Sequence, residues 1–186
     1  MSTAVVERQT GRTWTIDPMH TQVEFSAKHM GIMTVKGHFT GVQAAITFTE
    51  DDFSASSVQA TIDAGTLTTN DERRDTHLKS ADFLNVEQFP TIAFSSTRIA
   101  HAAHDRYTMT GDLTIRDVTR PVTFDVVYAG QGKDPMGTVH AGFSAHTTIN
   151  RKDWGLTWNV ALETGGLLVG EEVTLALDVE AVKAAA

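Results

Sequence analysis

Eight histidines and 23 aspartates and glutamates give this 186-residue chain ample material for metal binding or acid–base chemistry, so their spacing decides what is open to it. Imidazole is the common protein ligand for zinc, copper and iron. His101 and His104 stand three apart in a segment that reads as a hairpin loop, without the helical spacing that sets two ligands on one face. His140 and His146 share a strand face but lie about 20 Å apart at ~3.3 Å per residue, too far to hold one ion. His20, His29 and His38 meet only through tertiary folding. No metal site is therefore expected.

The densest charge lies in Asp71-Glu72-Arg73-Arg74-Asp75-Thr76-His77-Leu78-Lys79-Ser80-Ala81-Asp82. Arg73, Asp75 and His77 are the best polar group the chain offers to an enzyme, and Ser80 beside His77 and Asp82 has the residue types of a nucleophile, a base and its orienter. The Gly-x-Ser-x-Gly elbow that would expose such a serine is absent, as are the strand–helix–strand crossovers it needs. The adjacent carboxylates Glu50-Asp51-Asp52 and Glu171-Glu172 read as solvated turn charge. Gly130-x-Gly132 leads to Pro135 and another strand, so it lacks the helix N-terminus of a dinucleotide site. The simpler reading of Arg73 and Asp75 is an ion pair that fastens this segment to the fold, with His77 packed or hydrogen-bonded beside it.

Composition closes further routes. There is no cysteine, which excludes disulfides, thiolate nucleophiles, iron–sulfur clusters and zinc–thiolate sites. Fifteen lysines and arginines against 23 acids leave a formal charge of −8, which repels polyphosphate, so no nucleic-acid partner is expected. The first ten residues lack the basic start and apolar core of an export signal, and no run approaches the ~20 apolar residues of a membrane-spanning helix. With Met1 taken as the native start, the expectation is a cytoplasmic protein without stable membrane insertion.

The elements that must position these residues are mostly strands. Val23, Phe25 and Ala27 alternate with polar neighbours, and the same period of two recurs in Val58/Ala60/Ile62, Ile92/Phe94, Val122/Phe124/Val126/Tyr128, Val139/Ala141/Phe143/Ala145 and Val173/Leu175/Leu177/Val179. Turn-forming residues separate eight long strands at about 21–28, 36–48, 57–63, 91–99, 106–115, 121–129, 138–149 and 171–181. The fold class is all-β and antiparallel. Eight strands suit a closed barrel, which removes exposed sheet edges, although the pattern alone also allows a two-sheet sandwich.

The charged segment is the helical exception. Thr69 as N-cap and Glu72 three residues on form a capping-box pattern, and a helix is expected at about 70–79, followed by a helical turn near 82–85, over one end of the barrel. A single domain is expected over 13–182, with flexible ends at 1–12 and 183–186.

Alternation places Phe25, Phe39, Phe48, Phe94, Phe124, Phe143, Ile46, Ile62, Met109, Leu113, Leu175 and Leu177 inside. From pattern alone this set fills a core or lines a cavity.

The charged segment, taken with its flanks, resembles the Arg-Asp-x-His-Leu-x-Ser-x-Asp-Phe motif of the YceI-like family of lipocalin-like barrels. Trp14-Thr15-Ile16-Asp17 with His20-Thr21-Gln22-Val23-Glu24-Phe25 is similar to the family's opening, and Gly37-His38-Phe39 to its next landmark. Phe89-Pro90-Thr91-Ile92-Ala93-Phe94-Ser95, Gly111-Asp112-Leu113-Thr114-Ile115, Gly142-Phe143-Ser144-Ala145 and Ile149-Asn150-Arg151-Lys152-Asp153-Trp154-Gly155 follow in the family's order, so the resemblance runs from about Trp14 to about Ala181. Asp117 stands where the family often has Gly, and Thr21 where Ser is common. The resemblance implies an eight-stranded lipocalin-like barrel whose apolar interior binds, carries or stores an isoprenoid chain, a quinone or polyprenyl compound, with no cofactor and no chemistry. The expected ligand-binding set is Phe25, Ile46, Phe48, Ile62, Phe94, Met109, Leu113, Phe124, Phe143, Leu175 and Leu177 in the cavity, with Arg73, His77 and Trp158 at its mouth beside Arg74 and Trp154. The partner is thus a hydrophobic small molecule; a homodimer is left open. The alternative is an enzyme acting on such a hydrophobic substrate through His77, Asp75 and Arg73.

Overall fold

The computed structural model describes residues 12–49 and 52–184. Eleven strands form one antiparallel sheet: β1 (Arg12–Ile16), β2 (Gln22–His29), β3 (Met33–Phe39), β4 (Val42–Phe48), β5 (Ser57–Asp63), β6 (Leu67–Thr68), β7 (Thr91–Ala103), β8 (Arg106–Ile115), β9 (Val118–Lys133), β10 (Val139–Asn150) and β11 (Val169–Lys183). Helix α1 (Glu72–Lys79) lies between β6 and β7. The hydrogen-bonded order β1-β4-β5-β7-β8-β9-β10-β11 returns to β1, where Ile16 pairs with Ala181, so eight strands close a barrel. Strands β2, β3 and β6 extend the wall from the other length of β11, where Leu175 pairs with Phe25.

The strand expected over 36–48 is two strands. Gly41 breaks it: its amide donates to Thr66 Oγ1, its carbonyl accepts from the Asp63 amide, and a Cβ there would come within 2.9 Å of Asp63 Cβ. That close approach sends β3 to β2 and β4 to β1. β1 escaped the alternation pattern because it is only five residues long, yet Trp14 is buried and β1 closes the barrel. Arg12 and Lys183, expected in frayed ends, belong to strands; the rest of the N-terminal stretch, where an export signal was sought, lies outside the described residues, as do 185–186. Gly130 and Gly132, which as glycines suggest a loop, belong to a strand. Strand β9 runs through them to Lys133, and the turn is tightened by Asp134, whose side chain accepts from the amides of Met136 and Thr138.

Helix α1 starts at Glu72, and its cap is Asp71 in place of the expected Thr69: Asp71 accepts from the Arg74 amide at 3.0 Å. Thr69 is buried, and its hydroxyl is committed to Asp75 instead.

Candidate ligand cavity

Inward side chains from all round the wall enclose a cavity of about 310 Å³ whose accessible surface is contributed by apolar atoms alone. All twelve residues that alternation places inside line it. The set lines a cavity because the barrel is wider than its side chains can fill. Among the described residues no large side chain is fully buried, and Phe25, Phe94, Leu175 and Leu177 on the inner wall keep some exposure to that space.

Two glycines help keep the lumen open. The Phe25 ring lies so close over Gly37 on the neighbouring strand that a Cβ there would sit 2.3 Å from its Cζ, and the Phe94 ring lies over Gly111 in the same way at 2.4 Å. Each ring is pressed back against the wall because its partner strand offers no side chain.

The two ends differ. At one, Phe48 packs edge-on to Trp14, Phe53 and Phe143, and Phe53 stacks on Tyr107 with centroids 4.0 Å apart. At the other, Leu78 of α1 joins Phe83, Leu84 and Leu156 over the opening. That lid is fastened by polar groups. Asp75 accepts from the Thr69 hydroxyl and amide and from the Thr68 hydroxyl at 2.5–2.9 Å. Burial pushes the Asp75 carboxyl up, but these hydrogen bonds outweigh it and hold it below the ordinary value. The expected Arg73–Asp75 ion pair does not form: Arg73 is exposed, and the neighbouring Arg74 reaches the Thr69 hydroxyl and carbonyl instead. The register of α1 turns Arg74, rather than Arg73, toward the barrel.

Of the expected mouth residues, His77 and Trp158 meet but do not line the cavity. The His77 ring packs edge-on against Trp158 at 4.5 Å and Phe83 at 5.1 Å, and its Nε2 lies 2.9 Å from Asp82 Oδ2. Trp154 is buried and donates its indole N–H to the Leu113 carbonyl at 3.0 Å. Ser80 donates to the His77 carbonyl, so no serine–histidine–aspartate array forms.

The residue that sequence reasoning missed is Arg151. Buried at 5% exposure, it lines the lid end and donates to the carbonyls of Leu156, Val169 and Gly170, the last two where the β11–β2 ladder is interrupted. Its guanidinium also lies over the Phe83 ring. Burial pulls its pKa down, and only Glu171 opposes this. A signal was present: Asn150 caps the short helical turn Arg151–Trp154, and Gly155 at φ 75° ends it, a turn built to hold Arg151 in place.

On the outer wall near the aromatic end, the turn between β1 and β2 brings Asp17 and His20 to Glu180 of β11. His20 Nδ1 is 2.8 Å from Asp17 Oδ2 and 3.8 Å from Glu180 Oε1. His140 joins them, with Nδ1 2.7 Å from Glu180 and Nε2 3.3 Å from Asp134. The Asp17 hydrogen bond raises the His20 pKa, and Asp134 with Glu180 raises that of His140. Conversely, His20 holds Asp17 low, and the Thr138 amide, with help from His140, lowers Asp134. His101 and His104 do not form a pair of ligands, since His101 contacts the His104 carbonyl, and His146 faces Asp125 at 3.7 Å.

The family model for the YceI-like domain matches residues 14–181, the length over which the barrel closes and its cavity is lined. The chain belongs to the YceI-like family. A UPF0312 protein of Pectobacterium carotovorum is 40% identical over 164 residues, 88% of this chain and 82% of that protein. One from Staphylococcus aureus is 38% identical over 161 residues, 86% and 91% of the two chains. Among solved structures, the Campylobacter jejuni YceI protein superposes with a TM-score of 0.73 at 28% identity, covering 85% of this chain and 90% of its own. Burkholderia cenocepacia BcnA shares the fold at a TM-score of 0.77 and 24% identity, with coverage of 89% and 98%. A polyisoprenoid-binding domain from Saccharophagus degradans shares it at 0.66 and 10%, with coverage of 92% and 98%. Among the described residues of this YceI-like chain, no helix is long and apolar enough to cross a membrane.

Proposed function

We propose that this YceI-like chain binds a long-chain isoprenoid-type lipid, a quinone or polyprenyl compound, within its barrel, and carries or stores it without converting it. The cavity carries this reading: about 310 Å³ with no polar atom on its accessible wall is a site that water gains little by filling. An isoprenoid tail needs no polar partner along its length and gains about 0.8 kcal/mol for each buried CH₂. The Saccharophagus degradans domain, on the same fold, binds polyisoprenoid, which supports this ligand class.

The catalytic alternative finds little support. Asp75 is saturated by Thr68 and Thr69, His77 pairs with Asp82 outside the cavity, and Arg73 points to solvent, so the three groups it requires do not converge on the lumen.

Non-denaturing mass spectrometry after incubation with ubiquinone and with a polyprenol is the test, and the same spectrum reads whether two copies associate. A one-to-one lipid adduct is expected. Ala145→Trp, which puts an indole into the lumen, should remove the adduct while circular dichroism still reports a folded barrel. No adduct with either lipid, or an adduct that Ala145→Trp leaves intact, would overturn the reading.

A further inference from the structure

The Asp17–His20–Glu180 group lies on the outside of the barrel and plays no part in the lipid site. Its three ligand atoms all fall within 4.8 Å of one another. A tetrahedral zinc with bonds of about 2.0–2.1 Å needs donors about 3.4 Å apart, and the observed 2.8 and 3.8 Å around His20 Nδ1 bracket that spacing. Small side-chain rotations suffice.

The donors are also oriented. The Met19 amide donates to Asp17 Oδ1, which turns Oδ2 toward His20, and His140 Nδ1 fixes the Glu180 carboxylate. Ligating carboxylates are held by hydrogen bonds of this kind. Charge gives an independent argument. Three carboxylates, Asp17, Glu180 and Asp134, face two imidazoles, so the group keeps an excess negative charge even with both rings protonated, and a larger one with both neutral.

From this geometry we infer that Asp17, His20 and Glu180 form a binding site for a divalent transition-metal ion of the zinc class, which ties the β1–β2 turn to β11 at the seam where the barrel closes. The imidazole selects against calcium and magnesium, which prefer all-oxygen shells. His20 is exposed, so the ion reaches the site from solvent, and the water it keeps completes four-coordination. A metal ion and a proton compete for His20 Nδ1, because the ligating imidazole must be neutral.

The test is isothermal titration of the chelator-treated chain with zinc chloride at about pH 7.5. One equivalent is expected to bind and to raise the melting temperature. His20→Gln and Glu180→Gln should each weaken binding roughly tenfold or more, while His101→Gln, in the distant β7–β8 hairpin, leaves it unchanged. Absence of stoichiometric binding would overturn the assignment, as would uptake that ignores His20→Gln and Glu180→Gln but falls with His101→Gln, the mark of adventitious surface histidines.

Discussion

The two ends of the barrel solve one problem with different chemistry. The end lined by Phe48, Phe53, Tyr107 and Phe143 is closed by aromatic rings in edge-on and stacked contact, and the buried indole N–H of Trp14 beside them has no hydrogen-bond partner among the described residues. The lid end is closed by apolar residues too, but they sit on a short helix and a turn that polar groups hold in place: Asp75 on Thr69, Trp154 on Leu113, Arg151 on three carbonyls. The apolar burial of the rings is non-directional and tolerates small losses, whereas a buried hydrogen bond strands its partner when broken. The aromatic end should therefore yield gradually to mutation, and the lid end in large steps.

The largest expected effect is at Arg151. Arg151→Met keeps the volume but takes the guanidinium from the Leu156 and Gly170 carbonyls, while Val169 keeps its hydrogen bond from Asn159 Nδ2, at a cost of about 2–4 kcal/mol. Urea unfolding reads this directly, and a loss under ~1 kcal/mol would remove the distinction between the ends. Next is the wall between them: Gly111→Ala sets a Cβ against the Phe94 ring and the Ser95 carbonyl, costing about 1–3 kcal/mol, and any ring displaced into the lumen lowers lipid uptake. The two tryptophans give the sharpest comparison, because the same substitution removes the same volume. Trp154→Phe loses a hydrogen bond that Trp14→Phe does not, so it should destabilise by about 1–2 kcal/mol more. Equal losses would contradict the assignment of polar fastening to the lid end.

The smallest effect concerns pH, and it belongs to the seam outside the aromatic end. His20 and His140 have pKa values raised above the ordinary 6.5, so their contribution is complete below that value and fades as pH rises through the raised ones. Asp17 and Asp134 are lowered from 3.8, so theirs is present above that value and fades as pH falls through the lowered ones. Chelator-treated protein should thus melt highest between about pH 4 and pH 6.5, with a decline on the alkaline side that His20→Gln combined with His140→Gln flattens. Thermal scans across pH decide it.

Alternation made the inner wall legible, because a strand shows its two faces in its own sequence: Phe25, Phe94, Phe124 and Leu177 could be set inside without knowing their neighbours. The lid and the seam were not legible in this way. Arg73 and Arg74 are adjacent and chemically alike, and which one meets Thr69 depends on where α1 begins, a matter settled by Asp71 as cap. Arg151 reads as one more charged turn residue until the interrupted start of β11 presents carbonyls to it.

The sequence by itself thus determined most of the strands, their inward faces and the helical segment, since each is written in local spacing, and its motifs carried the resemblance to the family. Only the tertiary structure decided that the inward faces leave a cavity, that Arg74 and Arg151 fasten its lid, and that Asp17, His20 and Glu180 gather at one point. The first depends on barrel width, the second on where α1 begins and on how β11 starts, and the third on His20 meeting Glu180, 160 residues on; no local pattern records a distance closed by folding.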